Sequence, residues 1–357
     1  MEIRFQKVPP EKQKARPADE ATLGFGKVFT NHMFTMRYQH GKGWFDPVIG
    51  PYGPIALEPA AQCLHYAQEI FEGMKAYRGK DGSVYLFRPS ENAKRMNVSA
   101  RRMCMPEVDE SFFVEAAKQL VLTEKEWIPR TKGASLYIRP TMIATEAALG
   151  VQIPTEFLFY IIVCPVGAYY PEGFNPTKIY VSEDFIRSAP GGTGATKAGA
   201  NYAISLYGMH QAHEMGYTQV LWLDAVERRF IEEVGTSNIF FVIDGELITP
   251  PLEGTILPGV IRNSVIQLAQ LWNIKVAERR IDIHDVVKAA QNGTLQEAFA
   301  SGTAAVISPV GHIYYRGAEH EINGGRTGAL AQKFYDELLA IQYGTGADHF
   351  HWRMKIA

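Results

Sequence analysis

Cysteine is scarce: three residues, Cys63, Cys104 and Cys164, stand far apart in a chain of 357. An odd number at such spacing supports neither a disulfide framework nor a zinc knuckle and points to a reducing compartment, the cytoplasm. No apolar run reaches the roughly 20 residues that span a bilayer. The longest, FLFYIIVCPVGAYY, is cut by Pro165 and Gly167. The opening stretch, MEIRFQKVPPEKQKARPADE, mixes Lys, Arg, Glu and Pro without an apolar segment, so neither a signal peptide nor a transit peptide is expected. Charge of one sign is also missing: 36 basic against 38 acidic side chains leave −2, no electrostatic footprint for nucleic acid or an anionic membrane. Neither glycine-rich nucleotide loop, G-x-G-x-x-G or G-x-x-x-x-G-K followed by Ser or Thr, occurs, and there is no repeat or low-complexity tract. Nothing suggests a metal site. What these absences leave is an enzyme-sized body working on small molecules.

What is present fits that reading. Hydrophobic residues at 46% and charged residues at 21% are ordinary for a globular protein. The length exceeds one ordinary core, so two lobes are expected. Asp81-Gly82 lies between MKAYRG and SVYLF, and Asp244-Gly245 between IFFVI and ELITP, which predicts two tight hairpins. SLYIRP, FLFYIIV, KIYVS, TQVLWLD and AAVISPV read as strands, rich in β-branched and aromatic residues. FFVEAAKQLVLTEKEW, NYAISLYGMHQAHEMG, VIRNSVIQLAQLW and GALAQKFYDELLAIQYG carry apolar residues at helical spacing. The Pro- and Gly-bearing stretch GAYYPEGFNPTK divides the chain. Boundaries are therefore set at 1–170, with the first ~20 residues a surface arm, then a linker at 171–182 and a second lobe at 183–357. Antiparallel hairpins with interspersed helices and no βαβ alternation give an α+β class without a Rossmann sheet.

Five segments could carry chemistry. In FIRSAPGGTGATKAGANYA, glycines and threonines precede Lys197 and small residues follow it, so backbone can approach a ligand closely. A lysine desolvated there could serve as Schiff-base nucleophile and then as general base, although the pattern alone leaves a solvated surface lysine open. In RRFIEEVGTSNIFFVI, period-two alternation sends Glu232 and Glu233 to opposite faces, so one of them needs a cationic or hydrogen-bonding partner, unless both are solvated at a strand entrance. In GTILPGVIRNS, Pro258-Gly259 leads into a helix whose N–H groups could face an anion. Arg95, on a helix that Ser90 can cap, flanks the stripe Ala93, Met96, Ala100 and Met103 and could reach a phosphate at the edge of a core. SGTAAVIS adds a small-residue turn in which Thr303 offers a hydroxyl and an N–H.

Taken together, GFGKVFTNHMF, FEGMKAYRG, LFRPSENAKRM, SLYIRP, CPVGAYY, the Lys197 loop, QVLWLDAVERRFIEEVGTSN, ITPPLEGTILPGVIRNS and SGTAAVISPV follow one another in the order found in a known family. The chain resembles the branched-chain aminotransferases, type IV fold enzymes of pyridoxal 5'-phosphate, from about Phe25 to the C-terminal region. The resemblance implies a two-lobed α+β type IV fold, with a smaller N-terminal α/β lobe and a larger C-terminal lobe built on a β-barrel-like core. It also implies a homodimer.

The resemblance implies that Lys197 binds the cofactor covalently and is the catalytic base, that Glu233 holds the pyridine nitrogen protonated, and that Tyr202 hydrogen-bonds the phenolic oxygen. Arg95, Gly259, the Val260 and Ile261 N–H groups and Thr303 would hold the phosphate, with Leu257 on the ring face and Arg187 nearby. Phe25, Tyr66, Phe71, Tyr137, Tyr169 and Thr236 would wall a pocket for a branched side chain, and Val151 would come from the partner subunit. The Tyr137 hydroxyl and the Thr303 and Ala304 N–H groups would take the substrate carboxylate, and Arg139 the distal carboxylate of glutamate. Leucine, isoleucine or valine would then donate to 2-oxoglutarate. Ile261 stands where many relatives carry threonine, and Ala305 and Ser308 stand where animal members carry a C-x-x-C pair. A D-amino-acid aminotransferase or an aminodeoxychorismate lyase would share Lys197 and Glu233 and differ in the pocket. A non-catalytic cofactor-binding module would be expected to lack one of the two.

Overall fold

The computed structural model describes residues 1–167 and 174–357. Two compact units emerge: Met1–Tyr169 with Thr196–Gly199 and Leu339–Ala357, and Tyr170–Ala195 with Ala200–Leu338. Of the linker expected at 171–182, residues 171–173 lie outside the described residues and Thr177–Ser182 is a strand of the second unit. Alternating Ile179 and Val181 enter that unit's core, which makes the segment a structural strand.

The first unit is built on a nine-stranded sheet. Across it run Arg4–Phe5, Gly43–Pro51, His32–Gln39, Glu156–Val166, Ser135–Ala144, Met74–Arg78, Val84–Phe87 and Arg353–Lys355, with Glu69–Phe71 also paired to Ser135–Ala144. Alternation assigns its faces. Met74, Ala76, Leu136, Ile138, Met142, Phe159 and Ile161 join a core with Ala93, Met96 and Ala100 of the helix Pro89–Arg102 and Phe113, Ala117 and Leu120 of the helix Glu110–Thr123. The residues between them, Lys75, Tyr137, Arg139 and Thr141, project from the other face, together with Glu69 and Phe71. The first residues are tied to the sheet edge. Arg4 and Phe5 pair in parallel with Val48 and Ile49, and the Val8 N–H donates to His32 Nε2 at 3.1 Å.

In the second unit six strands close on themselves: Thr177–Ser182, Gln219–Leu223, Ile231–Val234, Ser237–Ile243, Leu295–Gly302 and Val306–Tyr315. The barrel core expected for the type IV fold is thus present. Thr177–Ser182 runs parallel to both neighbours, Gln219–Leu223 and Val306–Tyr315, an arrangement that hairpin signals alone could not foresee. Phe240 stacks on Phe299 at 5.2 Å, and Phe299 meets Phe334 of the helix Ala329–Gln342.

Ile243 pairs with Glu246, leaving Asp244 and Gly245 as a two-residue turn with φ of 50° and 76°. The Asp81-Gly82 turn is longer, because Arg78 pairs with Val84 and residues 79–83 form the loop. There the Asp81 carboxylate accepts from the Ser83 N–H at 3.0 Å and the Ser83 hydroxyl at 2.8 Å, holding Asp81 in a side-chain-bonded turn. The helix expected over NYAISLYGMHQAHEMG breaks into Ala200–Ala203 and Leu206–Glu214. At the break the Ser205 hydroxyl donates to the Tyr202 carbonyl at 2.7 Å, offering the backbone an alternative to the helical ladder. Ser90 does not cap its helix. Arg88 holds the N-cap position at φ 47°, and Pro89, with its fixed φ, opens the first turn.

Candidate active site

In the first unit Lys197 is fixed through its backbone. Its N–H donates to Ser99 Oγ at 3.0 Å, its carbonyl accepts from the Phe71 N–H at 3.0 Å, and Ala198 bridges to Ile70. The small residues after the lysine serve this docking. Ala198 is fully buried in the core, and a Cβ on Gly199 would stand 2.0 Å from Glu69 Oε1. The lysine is therefore not a solvated loop residue: Nζ lies 4.9 Å from the Phe71 ring centre, and the buried Glu72 carboxylate feels its charge.

Around that amine stand several of the expected substrate residues. The Arg139 guanidinium covers the Phe71 ring at 4.5 Å and the Tyr137 ring at 5.2 Å, and donates from Nη2 to the Tyr137 hydroxyl at 3.1 Å. Phe25 meets Tyr137 edge-on at 4.9 Å. Gly73 gives that hydroxyl its room, since a Cβ there would lie 2.1 Å from it. Tyr66 is not brought into this group; it is 41% exposed, and its hydroxyl donates to the Leu149 carbonyl. Val151 is 87% exposed, and Tyr169 lies outside the described residues.

Arg95 is buried, and its surroundings hold a residue that the sequence reading passed over. Nε and Nη2 grip the two oxygens of Glu72 at 2.7 and 2.9 Å, and Asn92 adds a third donor at 2.7 Å. Full burial pushes the Glu72 carboxyl upward; Arg95, Lys197 and Asn92 outweigh it and hold the group below the usual carboxylate range.

A second overlooked residue is Lys75, which lies opposite Tyr137 in the register and is 5% exposed. Burial brings its amine down to about 7. Between about 7 and the ordinary lysine value of about 10.4 the unfolded chain binds a proton that the folded chain does not, so this lysine costs least at high pH and most below 7. Lys75→Met should therefore raise stability near pH 6, on the order of 1–4 kcal/mol, and less near pH 10. Urea midpoints at the two pH values test this; an equal change at both would refute the burial argument.

In the second unit the expected cofactor residues gather at one end of the barrel. Arg187 Nη1 lies 2.5 Å from Glu233 Oε2, and its guanidinium stands 5.7 Å from the Tyr202 ring centre. Asn238 joins the parts, donating to Glu233 Oε1 at 3.3 Å and to the Leu257 carbonyl at 2.9 Å. Its Oδ1 occupies the space that a Gly259 Cβ would need, 2.1 Å away. Gly259 is the N-cap of the helix Val260–Leu271, so no side chain caps the turn that Val260 and Ile261 open. Thr236 sits in the turn beside Gly235, and Thr303 and Ala304 follow the strand Leu295–Gly302. Because Asn238 pairs with Ser301, the two turns are neighbours.

The alternation expected for the two glutamates is broken by a bulge. Trp222 pairs with Glu233 but Leu223 with Ile231, so Glu232 is the extra residue. Both carboxylates are buried. Glu232 accepts from the Ser188 hydroxyl at 3.2 Å, and burial raises its carboxyl against the hydrogen bonds from Thr255 and Ser188. Glu233 is the one that faces a cation. Asn238 carries a signal in the sequence, an asparagine in an otherwise apolar strand.

Amino-transferase class IV, as a family, matches residues 69–313. Branched-chain-amino-acid aminotransferase 2 of Bacillus subtilis is 50% identical over 345 residues, covering 97% of this chain and 95% of its own. Among solved structures, the branched-chain amino acid aminotransferase of Escherichia coli aligns with a TM-score of 0.75 at 26% identity, over 90% of this chain and 99% of that one. The T.th. branched-chain amino acid aminotransferase complexed with N-(5'-phosphopyridoxyl)-L-glutamate aligns with a TM-score of 0.74 at 25% identity, over 90% and 98%. The chain thus belongs to the class IV aminotransferases and, within them, to the branched-chain-amino-acid aminotransferases.

Proposed function

We propose that this chain transfers the amino group of leucine, isoleucine or valine to 2-oxoglutarate with pyridoxal 5'-phosphate as cofactor, yielding branched-chain 2-oxo acids and L-glutamate. The observation that carries the reading is the Phe71 ring, with the Lys197 amine 4.9 Å from its centre and the Arg139 guanidinium 4.5 Å above it. An amine beside an aromatic wall and a cation suits a pocket that takes an apolar side chain and an acidic one in turn.

The residues present fit the cofactor. Glu233 is a carboxylate 3% exposed, of the kind that suits a cationic ring nitrogen, and Arg187 Nε beside it is buried without a hydrogen-bond partner among the described residues. The glycine-capped helix start suits a phosphate. When bound, pyridoxal phosphate supplies the carbonyl that takes up the amino group and the ring that accepts the electron pair released at Cα.

Lys197 Nζ would take the Cα proton of the substrate and deliver it to the carbon of the cofactor's former carbonyl, so one residue is base and then acid. Glu233 would keep the ring nitrogen protonated, Tyr202 would donate to the phenolic oxygen and Leu257 would lie against the ring. In the first unit Arg95, braced by Glu72, would be available to the phosphate; in the second, Gly259, the Val260 and Ile261 N–H groups and Thr303 would be. Phe25, Phe71 and Tyr137 would wall the substrate side chain, and the family resemblance adds Tyr66, Tyr169 and Thr236 to the same role. For the substrate, the Tyr137 hydroxyl would take the α-carboxylate and Arg139 the distal one, and the family resemblance gives the Thr303 and Ala304 N–H groups to the α-carboxylate. We read the enzyme as a cytoplasmic homodimer; the exposed Leu149, Val151 and Ile153 offer apolar surface suited to burial against a second copy, and Val151 would then serve the partner's pocket. No helix of the described residues is long and apolar enough to cross a membrane.

The test is glutamate formation from 2-oxoglutarate with L-leucine or D-alanine as donor. L-leucine should be used and D-alanine not; the reverse would favour a D-amino-acid aminotransferase. Glu233→Gln should lower kcat by roughly 100-fold or more, and Glu232→Gln by much less. The opposite ranking would exchange their roles.

A further inference from the structure

Glu69 has no part in the chemistry above, yet it projects from the face that carries Arg139. On the strand Glu69–Phe71, Ile70 enters the core, so Glu69 and Phe71 share the opposite face, across from Ile143 and Thr141. Arg139 lies over Phe71, and its charge acts on the half-buried Glu69 carboxylate. On another side the carboxylate is backed by Gly199, two residues past Lys197, at a spacing that leaves no room for a Cβ.

We propose that Glu69 is the internal counter-ion of Arg139 and sets the balance between apolar and acidic side chains in the substrate pocket. The proposal rests on the reading of Arg139 as receiver of the distal carboxylate. A guanidinium near Phe25 and Phe71 is costly when the guest is a leucine side chain, because nothing on that guest answers its charge. Glu69 answers it. When glutamate enters, two carboxylates compete for one guanidinium, and Glu69 yields by protonation or by turning away. Its own environment favours yielding: burial raises its carboxyl, with Arg139 opposing. The other titratable groups whose surroundings include Glu69 are Tyr160, bonded to Thr141, and Cys63 of the helix Gln62–Tyr66. Burial raises both, so they stay neutral near pH 7 and leave the charge balance to Glu69 and Arg139.

The holoenzyme tests this through the ratio of kcat/KM for L-glutamate to that for L-leucine. Glu69→Gln should raise the ratio about five-fold or more, chiefly through KM. In the wild-type enzyme the ratio should rise as pH falls into the raised range of the Glu69 carboxyl, because protonation of Glu69 frees Arg139 for the guest, and in Glu69→Gln that slope should vanish. A variant whose two substrates weaken together, with the slope kept, would overturn the proposal. So would a flat wild-type profile, which needs no variant. Arg139→Leu separates the two readings. If it spares glutamate, the Arg139 assignment falls and the proposal with it; if it removes glutamate while Glu69→Gln changes nothing, only the proposal falls.

Discussion

Lys197→Ala should abolish transamination, lowering turnover of L-leucine with 2-oxoglutarate by on the order of 10⁴-fold or more. Two roles leave with one amine: covalent attachment of the cofactor and transfer of the Cα proton. The fold should survive, because the segment is held by the bonds of the Lys197 N–H to Ser99 and of its carbonyl to Phe71, neither of which uses the side chain. An unchanged far-ultraviolet circular dichroism spectrum would establish that the loss is chemical. A folded variant within ten-fold of the wild type would remove Lys197 from the mechanism.

The second large effect is on stability. Glu72→Ala leaves the Arg95 guanidinium buried without the carboxylate that now takes two of its nitrogens, and breaking a buried pair in this way costs about 3–5 kcal/mol. Glu72→Gln should cost less, since an amide oxygen can still accept from Arg95. The pair also has a pH signature. Glu72 is held below the usual carboxylate range, so its stabilisation is complete above that range and is lost as pH falls through the lowered value. Urea denaturation of the wild type and both variants at neutral pH measures the cost. A loss under about 1 kcal/mol in Glu72→Ala would show that the pair contributes little.

Glu72 also shows where sequence reading stops. In FEGMKAYRG it is a charged residue at a strand's end, and only the fold reveals that it is fully buried, because its partner Arg95 comes 23 residues later. Lys75 failed to stand out for a related reason. Alternation puts it on the polar side of its strand, and whether that side meets water depends on what covers it. The bulge at Glu232 left no mark on the sequence, so strict alternation sent one glutamate outward when both are inside. By contrast, the Asp244-Gly245 hairpin, the helix Val260–Leu271 and the strand Ser135–Ala144 were legible, because the signals that define them are local. Helix Ile283–Asn292 was legible and missed: Asp282 caps it by accepting from the His284 N–H, and Gly293 closes it at φ 79°. The site divides along the same line. Lys197, Arg139 and Glu233 stood out within ordered motifs, whereas Glu72 and Ser99 owe their importance to residues distant in the chain.

The central claim, that Lys197 carries pyridoxal phosphate and works on branched-chain substrates, is tested most directly by the visible absorption spectrum of the cofactor-saturated protein. A Schiff-base band should be present, disappear on addition of L-leucine alone and return when 2-oxoglutarate follows, so that both half-reactions are seen in one cuvette. A band that only D-alanine bleaches would contradict the substrate assignment and leave Lys197 in place. No band at all in saturated protein would contradict the assignment of Lys197 itself.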